Sequence, residues 1–206
     1  MTLLKNIKIL DLTRFVAGPH CTSILSDLGA DVIKVEKCDK GDDLRVIGPK
    51  LKGVSLWSAV LNRGKKSLSL NLKKKEGLDI LHKLLKNSDI LVENFRPGVM
   101  EKLNLSWDRV SKINSKIIMA RISGYGHQSK TGARQAFDAT VQAESGLMNI
   151  SGDIKNKPTM KAITEKNKTK VGVYKFTAKK VPPMTPSTIK IPNDFTNLKS
   201  TASYSI

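Results

Sequence analysis

Apolar and polar positions along the first 150 residues follow a repeating strand-and-helix order. Short apolar or alternating runs predict strands at residues 7–12, Asp31–Glu36, 68–72, 89–95 and 116–122. Apolar residues at helical spacing predict helices at residues 19–28, 76–85, Trp107–Ile113 and 138–148. Gly29 fits the end of the first helix, and Ser106 fits the N-terminal cap of the third. This order favours an α/β fold with a mostly parallel sheet and flanking helices.

The pattern changes after about residue 152, where Lys, Thr, Pro and Asn dominate the sequence. Only residues 170–176 resemble a strand there, and no helical pattern occurs. A segment with little apolar surface cannot offset the entropy lost on ordering. We therefore predict a folded region at 1–152 and a divergent, basic, poorly structured C-terminal tail at 153–206.

Loops at the carboxyl ends of parallel strands are the usual ligand sites of such folds. The predicted loops span residues 11–19, 36–43, 93–98 and 123–132. In the first, Gly18 permits close approach of the backbone, which fits a tight turn and a ligand-binding loop equally well. In the third, Asn94, Phe95 and Arg96 offer an amide, a stacking face and a charge, which favours a functional loop. The basic segment 62–66 is predicted to be a solvated loop.

Composition narrows the functional classes. The chain has 206 residues and a formal net charge of +18, of which +10 lies in residues 1–150 and +8 in residues 151–206. This charge fits a lysine-rich surface or a polyanion-binding surface, whose ligand is a nucleic acid or a phosphorylated nucleotide carrier. Nucleic acid is the weaker alternative, because the basic tail has few aromatic residues and no RNA-binding motif.

Several other classes lack their sequence signals. No run of about eighteen apolar residues occurs, so no membrane-spanning helix is predicted. Cys21 and Cys38 form no recognisable disulfide framework, which favours a reducing, cytoplasmic setting. No glycine-rich phosphate loop and no metal-ligand motif is present, so neither a standard dinucleotide site nor a metal site is predicted.

Four segments, in order, carry a family resemblance. Residues 9–45 (ILDLTRFVAGPHCTSILSDLGADVIKVEKCDKGDDLR), 62–73 (NRGKKSLSLNLK), 89–98 (DILVENFRPG) and 123–152 resemble the class III CoA-transferases of the formyl-CoA and carnitine CoA-transferase type. The resemblance implies a Rossmann-like large domain, an interlocked homodimer, and transfer of CoA between two carboxylic acids. It also implies an aspartate nucleophile that passes through acyl-aspartyl and aspartyl-CoA intermediates.

The resemblance also implies where coenzyme A would bind. The residues at the family's CoA-binding positions are Phe15, Ala17, Lys37, Leu70, Leu72, Asn94, Phe95, Val99 and Lys102. Lys37 would lie near the ribose 3′-phosphate, and Leu70 and Leu72 would line the adenine pocket. Asp138 occupies a position near the family's reaction centre and is predicted to assist catalysis without being the nucleophile.

The sequence departs from the family after residue 152. The segment that carries the family's nucleophilic aspartate and a following TGxGQ-like motif has no counterpart in residues 153–206. We therefore expect a truncated, catalytically inactive CoA-transferase region. The alternative is a non-catalytic protein that binds CoA or acyl-CoA, or that regulates an intact paralogue.

Overall fold

A six-stranded sheet forms the centre of the protein. The structure, a computed structural model, describes residues 3–127, 132, 134, 136–150 and 175–179. The strands are β1 (Lys8–Asp11), β2 (Asp31–Glu36), β3 (Lys50–Leu51), β4 (Val54–Ser55), β5 (Lys66–Ser69), β6 (Ile90–Glu93), β7 (Ile118–Ser123) and β8 (Lys175–Lys179). The helices are α1 (Ala17–Asp27), α2 (Leu56–Leu61), α3 (Lys75–Lys86), α4 (Val99–Lys102), α5 (Trp107–Ile113), α6 (Asp138–Glu144) and α7 (Leu147–Ile150), with a 3₁₀ turn at Asp43–Arg45.

The strand order is β5-β2-β1-β6-β7-β8. Every pairing from β5 to β7 is parallel, and β8 adds to β7 in the antiparallel direction. Leu10 of β1 lies opposite Ile33 of β2 and Leu91 of β6, which fixes the register at the middle of the sheet. β3 and β4 form a separate antiparallel hairpin. The predicted α/β fold with a mostly parallel sheet and flanking helices is confirmed.

Apolar side chains cover both faces of the sheet because alternate strand residues point to opposite sides. The larger cluster joins Leu10 and Leu91 to α3, through Leu81 and Leu85, and to α5, through Val110. The smaller cluster on the other side contains Ile9, Val32, Val92, Ala120 and Ile122, with Cys21 and Leu25 of α1 packed against it. The larger cluster extends past the carboxyl ends of β1, β5 and β6 through Leu12, Leu70 and Phe95.

Most predicted elements are present, and some have different ends. β2 and α5 have the predicted bounds, whereas the strand predicted at 68–72 is β5, which begins at Lys66 and ends at Ser69. The helix predicted at 138–148 is two helices, because Gly146 adopts a φ of +76° and ends the first. Ser106 precedes α5 as predicted, but its side chain makes no capping hydrogen bond.

The segment between β2 and β5 holds structure that the sequence pattern did not predict. It contains the 3₁₀ turn, the β3–β4 hairpin and α2. Ser55 caps the N-terminus of α2, and its Oγ accepts a hydrogen bond from the N–H of Ser58 at 3.2 Å. These elements are too short for a hydrophobic period to develop.

Most of the predicted tail, residues 153–206, lies outside the described residues. Its described part, β8, overlaps the predicted strand 170–176 only at residues 175 and 176, and residues 170–174 are outside the described residues. The division into regions 1–152 and 153–206 stays a prediction. None of the described helices is long and apolar enough to cross a membrane.

Candidate functional site: loops at the carboxyl edge of the sheet

The loops after β1 and β6 are held together by the side chain of Asn94. Its Nδ2 donates a hydrogen bond to the carbonyl oxygen of Arg14 at 2.7 Å. Its Oδ1 accepts one from the N–H of Arg14 at 2.8 Å. Asn94 therefore satisfies both polar groups of one main-chain residue in the neighbouring loop, which fixes the spacing of the two loops.

The loop after β2 meets the same edge. Oδ1 of Asp42 accepts a hydrogen bond from the N–H of Phe15 at 3.1 Å. The guanidinium of Arg14 contacts Asp43, and Nζ of Lys37 lies 3.3 Å from Oδ1 of Asp43. Burial alone would raise the pKa of Asp43, but the neighbouring Arg14 and Lys37 lower it. The side chain of Lys37 is half exposed, so its ammonium group lies at the rim of this edge.

Phe15 occupies a strained turn at the centre of this group of loops. Its φ is +60°, a left-handed conformation that costs free energy for a residue with a Cβ atom. The residue is 47% exposed. The guanidinium carbon of Arg14 lies 5.7 Å from the centroid of the ring. An exposed aromatic ring therefore lies beside the guanidinium of Arg14, which is paired with Asp43.

Gly18 allows the first turn of α1 to lie directly against the loop that precedes it. A Cβ atom at this position would lie 2.2 Å from Cβ of Thr13. The backbone at Gly18 therefore makes a close approach, as the sequence suggested, and the group that it approaches is the side chain of Thr13. The first residue of α1, Ala17, packs against the smaller core cluster.

We expect Gly18→Ala to lower the free energy of unfolding by about 1–3 kcal/mol, because the added methyl group overpacks the contact with Thr13. Urea unfolding measures the change. Lys112→Ala on the exposed side of α5 is the control, and it should stay within about 0.5 kcal/mol of the unsubstituted chain. A Gly18→Ala protein as stable as this control would contradict the described contact.

Three of the apolar candidate residues belong to the larger core cluster or pack against it. Leu70 is a buried member of that cluster, while Leu72 and Phe95 are partly buried and pack against it. Val99 begins α4 and is partly buried, and Lys102 at the end of α4 is exposed. Leu70, Leu72 and Phe95 are thus joined through one apolar cluster, and Lys102 adds an exposed cation on α4.

Comparison with known proteins identifies the family. The sequence profile of CoA-transferase family III matches residues 4–165. The chain belongs to this family. It is 40% identical over 168 residues to an acetyl-CoA:oxalate CoA-transferase of Acetobacter aceti, covering 82% of this chain and 43% of that protein. It is 43% identical over 150 residues to a human succinyl-CoA:glutarate CoA-transferase, covering 72% of this chain and 34% of that protein.

Solved structures of similar sequence share the fold. A CAIB/BAIF family protein from Brucella suis superposes with a TM-score of 0.74 at 33% identity, covering 79% of this chain and 44% of that chain. A hypothetical protein from Mycobacterium tuberculosis gives a TM-score of 0.69 at 36% identity, covering 77% and 44% of the two chains. This family III chain therefore spans about two-fifths of the length of the curated relatives it matches.

Buried charged side chains, which the sequence pattern did not single out, lie beneath the candidate loops of this family III chain. Asp11 ends β1 with no exposed surface and accepts hydrogen bonds from Thr22 Oγ1 at 2.6 Å and Lys65 Nζ at 3.2 Å. Lys65 also donates to the carbonyl of Pro19 at 2.8 Å. The prediction that segment 62–66 is a solvated loop is therefore wrong for Lys65, which is buried because Asp11 provides its counter-charge.

Glu36 ends β2 and connects it to the following loop. Its carboxylate accepts two hydrogen bonds from the Arg45 guanidinium, at 2.6 and 2.7 Å, one from the N–H of Asp42, and one from the hydroxyl of Ser67. Burial would raise the pKa of Glu36, but these donors together lower it to about 2. Glu36 therefore stays ionised and holds the loop that carries Lys37.

We expect Glu36→Gln to lower the free energy of unfolding by about 2 kcal/mol at neutral pH, allowing for the half-exposed Arg45. A folded pKa below the unfolded one means that the carboxylate stabilises the fold above about pH 5 and that this contribution is lost towards about pH 2. The difference between the two proteins should therefore shrink over that range of pH in urea unfolding. Asp79→Asn, at an exposed pair with Lys75, is the control and should show no comparable loss.

Glu93 and Arg121 form a second buried pair under the Asn94 loop. Nε of Arg121 donates to Oε1 of Glu93 at 2.6 Å, and its NH1 donates to Glu101 at 3.0 Å. Oε2 of Glu93 accepts the N–H of Phe95 at 2.7 Å. Burial raises the pKa of Glu93, although Arg121 opposes the shift. The pair links β6, β7 and α4, and it fixes the main chain at Phe95.

Asp138 directly follows Phe137, which lines a cleft beside the Asn94 loop. It begins α6, is buried, and its Oδ2 accepts a hydrogen bond from Nε2 of Gln142 at 2.9 Å. Its Oδ1 has no hydrogen-bond partner among the described residues. A cleft of about 110 Å³ separates the Asn94 loop from the segment before α6, and it is lined by Asn94, Phe95, Arg96, Pro97, Ile122, Ser123, Gly124, Gly132, Arg134, Ala136 and Phe137.

The described residues contain no group of three or more His, Cys, Asp or Glu side chains placed to hold a metal ion. The structure brings Phe15, Lys37 and Asn94 together through Arg14, Asp42 and Asp43. Sequence reasoning missed the two aspartates. Their signal was the acidic pair that follows Gly41 at the end of the β2 loop.

Proposed function

We propose that this chain forms the CoA-binding edge of a family III CoA-transferase, which moves CoA between two carboxylic acids. The observation that carries the proposal is the convergence of three loops at the carboxyl edge of a parallel sheet, in a chain that belongs to that family. The homologues act on oxalate or glutarate by their names. Val16 stands where the resemblance places an active-site glutamine of formyl-CoA transferase, so the resemblance does not support oxalate or formate chemistry for this chain.

The residues supply the chemistry that a CoA molecule needs. The exposed ammonium of Lys37 suits the ribose 3′-phosphate, and Lys102 adds a second cation on α4. Leu72 and Phe95 offer apolar and aromatic surface for the adenine, and Leu70 supports them from the core. Phe15 and Ala17 would follow the pantetheine arm from the first loop. A homodimer and a cytoplasmic location are part of the same proposal.

The transfer step requires a carboxylate nucleophile. In the reaction that the resemblance implies, an aspartate attacks the donor thioester and CoA leaves as the thiolate. The thiolate then attacks the aspartyl carbonyl of the mixed anhydride, which releases the donor acid as a carboxylate and leaves an aspartyl-CoA thioester. The acceptor carboxylate reverses these two steps and leaves as its CoA thioester. Asp138, whose Oδ1 has no partner among the described residues, would assist near the reaction centre. No segment of residues 153–206 resembles the family's nucleophile region. We therefore propose that this chain binds CoA and does not transfer it.

The second candidate function is a non-catalytic CoA or acyl-CoA binder that acts with an intact paralogue. It shares with the first candidate the expected lack of a nucleophile in residues 153–206. Two measurements test CoA binding without transfer, which both candidates predict: isothermal titration of the purified chain with CoA, and a thioester assay that follows CoA transfer from succinyl-CoA to a panel of carboxylates. Binding without transfer supports the proposal. Transfer would show that a nucleophile is present, and absence of binding would remove both functions.

We expect Lys37→Ala to weaken CoA binding by about three- to tenfold, because one exposed charge-assisted contact with a phosphate is lost. Dephospho-CoA lacks the 3′-phosphate, so its affinity should change by less than about twofold in the same variant. Lys86→Ala at the end of α3 is the matched control, since that lysine is exposed at the opposite edge of the sheet. Equal losses for the two ligands would place Lys37 away from the 3′-phosphate.

A further inference from the structure

Lys34 is a fully buried amine in the middle of the sheet. Its side chain is 1% exposed, and it lies in β2, which pairs with a strand on each side. A central parallel strand is normally apolar on both faces, and a buried charge is costly unless it is paired. Nζ of Lys34 donates to the carbonyl oxygen of Thr13 at 2.7 Å and lies 3.0 Å from Oδ2 of Asp42.

Asp42 connects the buried Lys34 to the loops after β1 and β2. Its side chain is also 1% exposed, and its Oδ1 accepts hydrogen bonds from the N–H groups of Phe15 and Leu44, both at 3.1 Å. The bond to Leu44 caps the 3₁₀ turn that follows β2. One carboxylate therefore joins the loop after β2 to the loop after β1.

The main chain of residues 13–15 is held almost entirely by side chains from elsewhere. The N–H of Thr13 donates to Asp11, and its carbonyl accepts from Lys34. Asn94 binds both polar groups of Arg14, and Asp42 accepts the N–H of Phe15. A left-handed φ at a non-glycine residue persists only where the surroundings fix it.

We propose that Lys34 and Asp42 are a pair of positioning residues that hold the turn at Phe15 in the shape that binds CoA. The inference rests on the proposed function for its ligand, whereas the held turn is a property of the protein alone. Stability by itself does not account for the pair. Replacing a buried ion pair by apolar residues of similar volume often leaves a protein equally stable or more stable. The bonds of this pair end on the main chain of the candidate site.

Two double variants test the pair. Lys34→Met/Asp42→Leu removes both charges and the acceptor for the Phe15 N–H. Lys34→Met/Asp42→Asn removes both charges but keeps an oxygen acceptor at the same place. Each is measured for CoA affinity by calorimetry and for hydrogen exchange of the Phe15 amide without ligand. Val110→Ala, at the buried residue of α5, controls for a general loss of stability.

We expect the Met/Leu variant to bind CoA about tenfold more weakly and to exchange the Phe15 amide about tenfold faster than the unsubstituted chain. The Met/Asn variant should recover most of both properties, while Val110→Ala should leave CoA affinity unchanged. If the Met/Leu variant does not fold, hydrogen exchange at residues 13–15 of the Met/Asn variant tests the inference. That variant still lacks the Lys34 bond to Thr13, so its amides there should exchange about threefold faster than those of the unsubstituted chain.

Unchanged affinity and unchanged exchange in the Met/Leu variant would overturn the inference. The inference would also be overturned if the Met/Leu variant lost no more CoA affinity than Val110→Ala when the two variants are equally stable. If the Phe15 amide exchanges faster in the variant but the unsubstituted chain binds no CoA, the proposed function fails while the pair is still shown to hold the turn.

Discussion

Arg121→Met is expected to lower the free energy of unfolding by about 3–5 kcal/mol, the largest effect of any single substitution considered for this protein. Arg121 is the counter-ion of Glu93, which has no exposed surface. Removing the guanidinium leaves a buried carboxylate whose pKa burial already raises. Urea unfolding at neutral pH measures the loss.

Three comparisons make this prediction specific. Glu101→Gln removes the exposed partner of Arg121 and should cost less than about 1 kcal/mol. Arg121→Met/Glu93→Gln removes the buried charge but keeps an acceptor for the N–H of Phe95, so it should recover part of the loss. The deficit of Arg121→Met should also narrow as the pH falls, because protonation neutralises Glu93. A cost no larger than that of Glu101→Gln would contradict the buried pair.

Asn94→Leu is expected to weaken CoA binding by about tenfold to a hundredfold. Two hydrogen bonds to the main chain of Arg14 are lost, each contributing about 0.5–1.5 kcal/mol to the bound arrangement of the loops. Calorimetric titration with CoA measures the change, and thermal unfolding shows whether the fold is kept.

A matched pair of variants separates the loop contact from general effects. Asn94→Asp keeps the acceptor for the Arg14 N–H but replaces the donor to its carbonyl, so it should also lose affinity. Asn87→Leu makes the same change of side chain at an exposed position after α3, at the opposite edge of the sheet, and should leave CoA affinity unchanged. Equal affinities for Asn94→Leu and Asn87→Leu would show that the two loops do not need this contact to bind CoA.

Local sequence pattern was sufficient for the longer strands and helices of the fold. The alternation in Asp31–Glu36 and the helical spacing in Trp107–Ile113 match elements with the same bounds in the structure. The β3–β4 hairpin was missed because strands of two residues carry no periodicity. β8 was predicted only in part, since its partner β7 lies more than 50 residues earlier in the chain.

The buried charges could not be predicted in the same way. Alternation in β2 would place Lys34 among polar positions, and only the fold shows that Thr13 and Asp42 enclose it. The sequence around Lys65 predicts a basic loop, because Asp11, which the fold brings beside Lys65, lies 54 residues away in sequence. Whether such a charge is buried depends on a distant counter-charge, which no local window contains.

The sequence predicted which loops form the candidate site better than it predicted the contacts that their residues make. Asn94 was singled out as a donor and acceptor, and the structure shows that its amide is used on Arg14. Leu70 was predicted to line the adenine pocket, and the structure places it in the core behind Leu72 and Phe95 as a member of the same cluster. The CoA contacts of these residues stay predictions.

The most direct test of a CoA-binding edge is titration of the isotope-labelled chain with CoA, followed by the chemical shifts of its backbone amides. The account predicts that the largest shifts fall on residues 13–17, on Lys37 and on residues 94–102, and that dephospho-CoA spares Lys37. Shifts confined to the amino edge of the sheet, or no shifts at saturating CoA, would contradict it.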